Sequence, residues 1–263
     1  MKNSLTHSFV ICAYKESPYL EDCIISLLNQ RNPSAIVITT STPNQHINNI
    51  ANKYNLNIFV NSEKSGIGHD WNFALSQVTT DFVTIAHQDD IYLPEYSEYI
   101  KNNISSDTVL FFTDYGEIRA DKEIFDNILL NTKRKLNIFL KNRIFRKNKF
   151  IRRRSMSFGC AICCPTVCIN INRFPNFRFD EKMTVCLDWD AWERLSKENG
   201  EFIYIPTPLL LHRIHQNSET TAQLEAGNRQ QEDFEMLCRF WPKKIAEILL
   251  KQYSKSEKSN ILD

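Results

Sequence analysis

Short apolar runs that alternate with one-faced helical stripes fill the first half of this chain, and few folds accommodate that rhythm. Phe9-Val10-Ile11-Cys12 is the first run. Ser17 and Pro18 then supply an N-cap and a first-turn proline, and Leu20, Cys23, Ile24, Leu27 and Leu28 recur on one helical face. Ile36-Val37-Ile38 reads as a second strand, Ile47, Ile50, Ala51 and Tyr54 as a second stripe, and Asn57-Ile58-Phe59-Val60 as a third strand. Gly66 and Gly68 mark a loop before a helix around Trp71 to Gln77, which leads into the β-branched run Phe82-Val83-Thr84-Ile85-Ala86. Pro94 opens another helix, and Val109 to Phe112 is a further strand. Strands separated by helices pair in parallel through crossovers. The expected fold class is α/β: a Rossmann-like, doubly wound, mostly parallel sheet with C-terminal helices.

Beyond Asp114 the rhythm breaks. Residues 120–155 read as basic helical or irregular structure, with Leu136, Phe139, Leu140 and Ile144 as a partial apolar face. A cysteine-containing strand, a helix from Asp188 to about Asn199, the strand Phe202-Ile203-Tyr204-Ile205 and a polar loop from His212 to Thr221 follow. With 263 residues, 42% of them hydrophobic, the chain can bury one sizeable core and a small appendage. The second half reads as a continuation of the same domain.

The formal net charge of +1 provides no global field for nucleic acid, and no aromatic-interleaved basic motif is present, so nucleic acid is not an expected partner. The charge is nevertheless uneven. No acidic residue lies between Asp126 and Asp180, where Lys133-Arg134-Lys135, Arg146-Lys147 and Arg152-Arg153-Arg154 all fall. That stretch reads either as a solvated helical face or as a peripheral contact with anionic membrane lipid. The N-terminus lacks a signal-peptide layout and no apolar run has the length of a membrane span. The expected location is cytoplasmic, at the inner membrane face if the basic stretch meets lipid. Of the eight cysteines, Cys160, Cys163, Cys164 and Cys168 lie close together. They sit in an apolar, strand-like run without paired knuckles, which favours core packing over zinc.

The chemistry concentrates at His87-Gln88-Asp89-Asp90, directly after an apolar strand. Ligands bind at the carboxyl ends of strands in open α/β sheets. Clustered oxygen ligands there suit Mn²⁺ or Mg²⁺, and a divalent ion points to a phosphate-bearing substrate. The alternative is a solvated acidic turn whose Asp90 caps the next helix. Asp188 is likewise either a helix cap or a carboxylate ionised at neutral pH and able to accept a proton.

Four stretches in this order resemble glycosyltransferase family 2, the inverting enzymes with the nucleotide-sugar-binding fold called GT-A. They are Val10-Ile-Cys-Ala-Tyr-Lys-Glu16 with its following helix, His87-Gln88-Asp89-Asp90, Leu187-Asp188-Trp189-Asp190-Ala-Trp192, and His212-Arg213-Ile214-His215-Gln-Asn-Ser218. The second stands in the place of the family's Asp-x-Asp-Asp, the third is similar to its Glu-Asp-Trp-Asp and the fourth to its Tyr-Arg-x-His-x-x-Ser. The resemblance implies a metal-dependent inverting transferase that moves a hexose from a nucleoside-diphosphate sugar, UDP-linked by expectation, to a saccharide or lipid-linked saccharide acceptor in polysaccharide or glycoconjugate biosynthesis. It implies Asp188 as general base and Asp89, with Asp90, His87 and His215, as ligands of Mn²⁺ or Mg²⁺. It places Ala13, Tyr14, Glu16, Thr40, Asn72, His87, Gln88, Asp89 and Arg213 around the nucleotide sugar. Trp189 and Trp192 read as core or acceptor-wall aromatics. The implied division is a nucleotide-sugar-binding half over residues 1–115, an acceptor and catalytic half over 116–224 and a C-terminal helical tail over 225–263. His87 replaces the family's first metal-motif aspartate, Thr39-Thr40-Ser41-Thr42 its Asp-Asp-Gly-Ser, and Leu187 the acidic residue before the base. Those departures leave a second reading open, a catalytically silent sugar-nucleotide-binding subunit that supports a partner transferase.

Overall fold

The computed structural model of the protein describes residues 5–63, 66–215 and 229–257, with side chains to residue 252. One nine-stranded sheet carries the order β3-β2-β1-β4-β8-β6-β9-β5, with β7 attached to β6. The strands are β1 (His7–Ala13), β2 (Ala35–Thr40), β3 (Ile58–Val60), β4 (Phe82–His87), β5 (Ile91–Tyr92), β6 (Thr108–Arg119), β7 (Lys122–Ile124), β8 (Val167–Asn170) and β9 (Glu201–Ile214). β1 pairs in parallel with β2 and β4, β2 with β3, and β6 with β9. Antiparallel β8 is inserted between β4 and β6. The sheet is therefore mostly parallel, as the alternation of strands and helices predicts.

Side-chain alternation divides the core between the two faces of the sheet. Phe9, Ile11 and Ala13 of β1 pack with α1 (Leu20–Leu28), α2 (Gln45–Lys53) and α4 (Tyr96–Asn103). Val10 turns to the other face, with α3 (Ile67–Ser76), α7 (Leu187–Leu195), α8 (Arg229–Cys238) and α9 (Lys243–Glu257). Two buried layers on one sheet explain why the early strands read as continuous apolar runs. α5 (Ile128–Leu136) adds Leu130 to the first layer, and Ile151 of the short α6 (Lys149–Arg154) packs on the second.

Three stretches differ from expectation. The last long strand does not stop near Ile205: β9 runs on to Ile214, so His212 and Arg213 are strand residues rather than part of a loop. Pro206 and Pro208 are absorbed where the β6–β9 register shifts between Thr113 and Asp114. The remainder of the expected loop, including Ser218, lies outside the described residues. The cysteine-rich segment becomes a strand only from Val167, because Pro165 sits in a single 3₁₀ turn over Cys164–Thr166. All eight cysteines are free thiols.

The basic triplets form no open cationic face. Lys133 Nζ donates to Tyr115 Oη at 2.9 Å and Arg134 Nε to Asp114 Oδ2 at 2.6 Å. Arg152 is wholly buried and donates to the carbonyls of Ser196, Glu198 and Gly200. Arg153 pairs with buried Glu193, and Arg154 lies over the Trp241 ring. Of the six triplet residues only Lys135 is exposed.

Gly200 shows how tightly the entry to β9 is fixed. Its φ is +116°, and a Cβ there would lie 2.3 Å from the Asp107 carbonyl oxygen and 2.8 Å from Val109 Cγ2. Gly200→Ala is expected to destabilise the protein by about 2 kcal/mol or more in urea unfolding. An unchanged unfolding midpoint would contradict this packing.

Candidate active site

The sheet order reverses direction between β1 and β4: β1 leads outward to β2 and β3, whereas β4 lies on its other side. The carboxyl ends of these two strands therefore border the crevice of a topological switch point. The loop after β1 and His87-Gln88-Asp89-Asp90 after β4 both end there. Gln88 joins them: its Oε1 accepts from the Tyr14 backbone N–H at 3.0 Å and its Nε2 donates to the Tyr14 carbonyl at 3.1 Å. Lys15 is held at φ +54°, with its N–H donating to Thr42 Oγ1. Beside them opens a cleft of about 510 Å³, walled by the residues Tyr14 to Tyr19, Gln88, the β6–β7 turn and residues 213–215.

Asp90 is wholly buried at the edge of this cleft. Its Oδ1 accepts from His212 Nδ1 and from the Arg213 backbone N–H, both at 2.9 Å. Asp89 Oδ2 accepts from His215 Nε2 at 3.0 Å, and Arg213 Nε donates to the Asp89 carbonyl. Burial works against ionisation of Asp89, but the His215 hydrogen bond and the charges of His87 and His212 outweigh it and hold the carboxyl below its ordinary range. Burial would lower the His212 pKa, yet the charge and hydrogen bond of Asp90 raise it to about 9. Trp71 stacks on the His87 ring at 5.6 Å.

Ligand atoms of His87, Asp89 and Asp90 lie within 4.8 Å of one another. Two buried polar atoms of this cluster, His87 Nε2 and Asp90 Oδ2, have no hydrogen-bond partner among the described residues, and His87 Nδ1 stands 3.9 Å from Asp90 Oδ2. An unsatisfied buried carboxylate oxygen is unfavourable unless a cation or donor meets it. Two carboxylates and one imidazole form a donor set suited to Mn²⁺ or Mg²⁺, the imidazole favouring Mn²⁺. The residues present therefore fit a divalent cation.

Asp188 lies on α7, outside the lining of this cleft. It occupies the first turn of α7 without capping it: Oδ1 accepts from the adjacent Trp189 N–H, and Oδ2 accepts from Cys160 Sγ at 3.5 Å. Burial raises its pKa, while the Trp189 N–H, Cys160 and the charge of Lys133 oppose the rise. Glu232 on α8 fixes the turn that leads into the helix: its carboxylate accepts from the backbone N–H groups of Thr184, Val185 and Cys186. Arg152 holds the carbonyls beyond the other end of α7. A carboxylate at the N-terminus and a guanidinium at the C-terminus match the helix dipole, so α7 is held at both ends. The charges of Asp90 and Asp188 both raise the Cys163 pKa, which burial raises most, so this thiol is within electrostatic reach of both carboxylates.

The expected donor residues separate into two groups. Tyr14, Glu16, Gln88 and Arg213 line the cleft, as does His215. Asn72, Thr40 and Ala13 do not, and His87 and Asp89 stand behind its lining rather than in it. The Asn72 amide donates to the Phe179 carbonyl and Glu181 Oε1 and accepts from the Phe179 N–H, which fixes the segment before α7. Thr40 is buried with its hydroxyl oxygen accepting from the Thr42 N–H, and Ala13 is a core residue. Trp189 and Trp192 are core residues as well. Sequence reading missed Glu232, Cys160 and Tyr19, whose ring carries the Arg213 guanidinium at 4.3 Å. No spacing in the sequence connects any of them to the site.

The profile of glycosyl transferase family 2 matches residues 8–171, more than half of the chain. The chain belongs to this family. No curated protein sequence matches it. Similar solved structures include S. aureus TarS 1–349 in complex with UDP-GlcNAc, at TM-score 0.64 and 14% identity over 95% of this chain and 71% of that one. Mannosyltransferase PcManGT from Pyrobaculum calidifontis, in complex with GDP-Man and Mn²⁺, gives 0.63 and 13% over 95% and 70%. Glucosyl-3-phosphoglycerate synthase from Mycobacterium tuberculosis, in complex with Mn²⁺ and UDP-glucose, gives 0.57 and 14% over 88% and 78%. Against the longer TarS structure this chain spans 43% of the length. These likenesses establish the fold of this family 2 chain as GT-A.

Asn72 provides a direct test of the site's layout. Asn72→Ala removes three hydrogen bonds and leaves the Phe179 N–H without its partner. The expected result is a loss of about 2 kcal/mol of unfolding free energy with UDP affinity retained. Weakened UDP binding at unchanged stability would return Asn72 to the donor pocket.

Proposed function

We propose that the protein transfers a hexose from a UDP-linked sugar to a saccharide acceptor, with inversion and with Mn²⁺ or Mg²⁺ bound, in the synthesis of a polysaccharide or glycoconjugate. The observation that carries this reading is the His87–Asp89–Asp90 cluster, with two unpartnered buried ligand atoms at the switch point of a family 2 fold. The UDP- and GDP-sugar complexes of the similar structures support the choice of donor.

His87, Asp89 and Asp90 would hold the cation. When bound, it would neutralise charge on the diphosphate as the glycosidic bond breaks. Arg213, buried against Tyr19 and fixed by its bond to the Asp89 carbonyl, offers a rigid fork for phosphate oxygens. His215 holds Asp89 in orientation and can contact the diphosphate from the same side. Tyr14 and Glu16 wall the nucleotide cleft, with Gln88 fixing the loop that bears them. Asp188 accepts the acceptor hydroxyl's proton at its carboxylate, and its raised pKa makes it a stronger base than an exposed aspartate. Residues 1–115 supply the cation ligands and most of the nucleotide wall, and 116–224 supply the base together with Arg213 and His215, which reach back to the donor. The 225–263 segment contributes more than a tail, because Glu232 positions the helix of the base.

The base is tested by Asp188→Asn, a nearly isosteric change. Donor-binding affinity and the melting temperature are expected to be kept while kcat falls about a hundredfold or more. Because burial raises the Asp188 pKa, the parent's acid limb should fall above the ordinary carboxylate range, and activity should be lost as pH drops through it. Near-normal turnover in the variant would remove Asp188 from the mechanism. Nucleotide affinity without any turnover in the parent would favour a binding subunit.

A further inference from the structure

Residues 138–150 leave unusually large apolar side chains in solvent. Phe150 is 68% exposed, Ile144 79%, Phe139 59% and Ile138 51%. They lie on three consecutive short turns, Ile138–Lys141, Arg143–Phe145 and α6, and the first packs against both of the others. Phe139 meets Phe145 edge-on at 5.9 Å, and Leu140 anchors the first turn in the core. Exposed large apolar residues grouped this way mark an interaction surface rather than ordinary surface scatter.

Lys135, Lys141, Arg143 and Lys149 stand among them, all exposed and none in an ion pair among the described residues. The one other exposed cation of the stretch, Lys147, is already paired with Asp107. No carboxylate occurs between Asp126 and Asp180. We propose that this surface, Ile138, Phe139, Ile144 and Phe150 framed by Lys135, Lys141, Arg143 and Lys149, seats the protein on an anionic lipid bilayer. The apolar side chains enter the headgroup boundary while the cations meet lipid phosphates.

Two observations select a bilayer over a protein partner. A second copy of this chain docked through the same patch would face like charge with like charge across a two-fold axis. Lysine is depleted at protein–protein interfaces, whereas lysine and arginine around exposed Phe and Ile are the composition of an interfacial membrane segment. Of the cations concerned only Lys135 belongs to the basic triplets, the rest of which are turned inward or paired. The surface also adjoins Asp188. Asn137, next to Ile138, donates to the Ala161 carbonyl, and Cys160 donates to Asp188.

The experiment is co-sedimentation of the full chain with phosphatidylcholine vesicles, with and without phosphatidylglycerol. Binding is expected only with phosphatidylglycerol and should weaken strongly as salt rises from about 0.1 M to about 1 M, where the Debye length falls from about 10 Å to about 3 Å. Each exposed cation near the surface accounts for about fivefold in binding, so Lys135→Gln, Lys141→Gln, Arg143→Gln and Lys149→Gln together should lower it by about a hundredfold or more. Phe139→Ser, Ile144→Ser and Phe150→Ser, at exposed positions, should lower it comparably and leave the melting temperature intact. Absence of vesicle binding by the parent at low salt overturns the proposal, as does binding that survives both sets of substitutions. A parent dimer that the serine variant dissociates would also overturn it, assigning the surface to a second copy. Vesicle binding needs neither donor nor turnover, so its failure would leave the catalytic reading standing.

Discussion

A single buried carboxylate connects the two sides of the site. Asp90 follows β4, yet it accepts hydrogen bonds from His212 and Arg213 near the end of β9, and β8 and β6 separate those strands in the sheet. The next two residues, Ile91 and Tyr92, form β5 and pair with Leu211 and Leu210 of β9. The sheet must curl for a chain leaving β4 to reach β9 within three residues. Burying a carboxylate completely is unfavourable unless donors meet it. Charge-assisted hydrogen bonds satisfy one oxygen of Asp90. The other has no hydrogen-bond partner among the described residues and lies 3.9 Å from His87 Nδ1 and within reach of Asp89, so the same residue that closes the sheet also offers an oxygen to a cation.

The helix of Asp188 depends on a second electrostatic arrangement. α7 carries Asp188 in its first turn, where the helix would otherwise leave N–H groups unsatisfied. Glu232 takes the backbone donors of the turn that leads into it, Thr184, Val185 and Cys186, and Arg152 takes the carbonyls past the other end. Arg153, Lys197 and Arg239 surround Glu193 on the same helix, and Arg194 and Arg239 hold Asp190. Such buried pairs add position more than stability. Fixing α7 from both ends lets Asp188 keep its carboxylate in a desolvated place without using it as a cap.

The parallel sheet was legible because its strands are buried on both faces and its helices on one. Phe9 to Cys12 and Phe82 to Ala86 read as apolar runs for that reason, and Leu20, Cys23, Ile24 and Leu27 show the spacing of a helix that covers them. The His87–Asp89–Asp90 cluster was legible because it is contiguous in sequence. What escaped the sequence was long-range charge pairing. Arg152 and Glu232 belong to segments that read as a basic surface and a tail, and only the fold brings them to the two ends of one helix. The partners of Asn72 escaped for a similar reason: they lie more than a hundred residues away, at Phe179 and Glu181. The path of β9 past Pro206 and Pro208 escaped too, since a register shift can absorb a proline that would otherwise end a strand.

The central claim is that the end of β4 holds a divalent cation beside a nucleotide cleft. Anomalous scattering from crystals grown with Mn²⁺ and UDP tests it most directly. The account predicts a manganese peak in contact with Asp89, with Asp90 or His87 completing its protein ligands, and UDP in the cleft lined by Tyr14 and Arg213. UDP bound in that cleft with no manganese at His87, Asp89 and Asp90, or manganese held elsewhere, would contradict it.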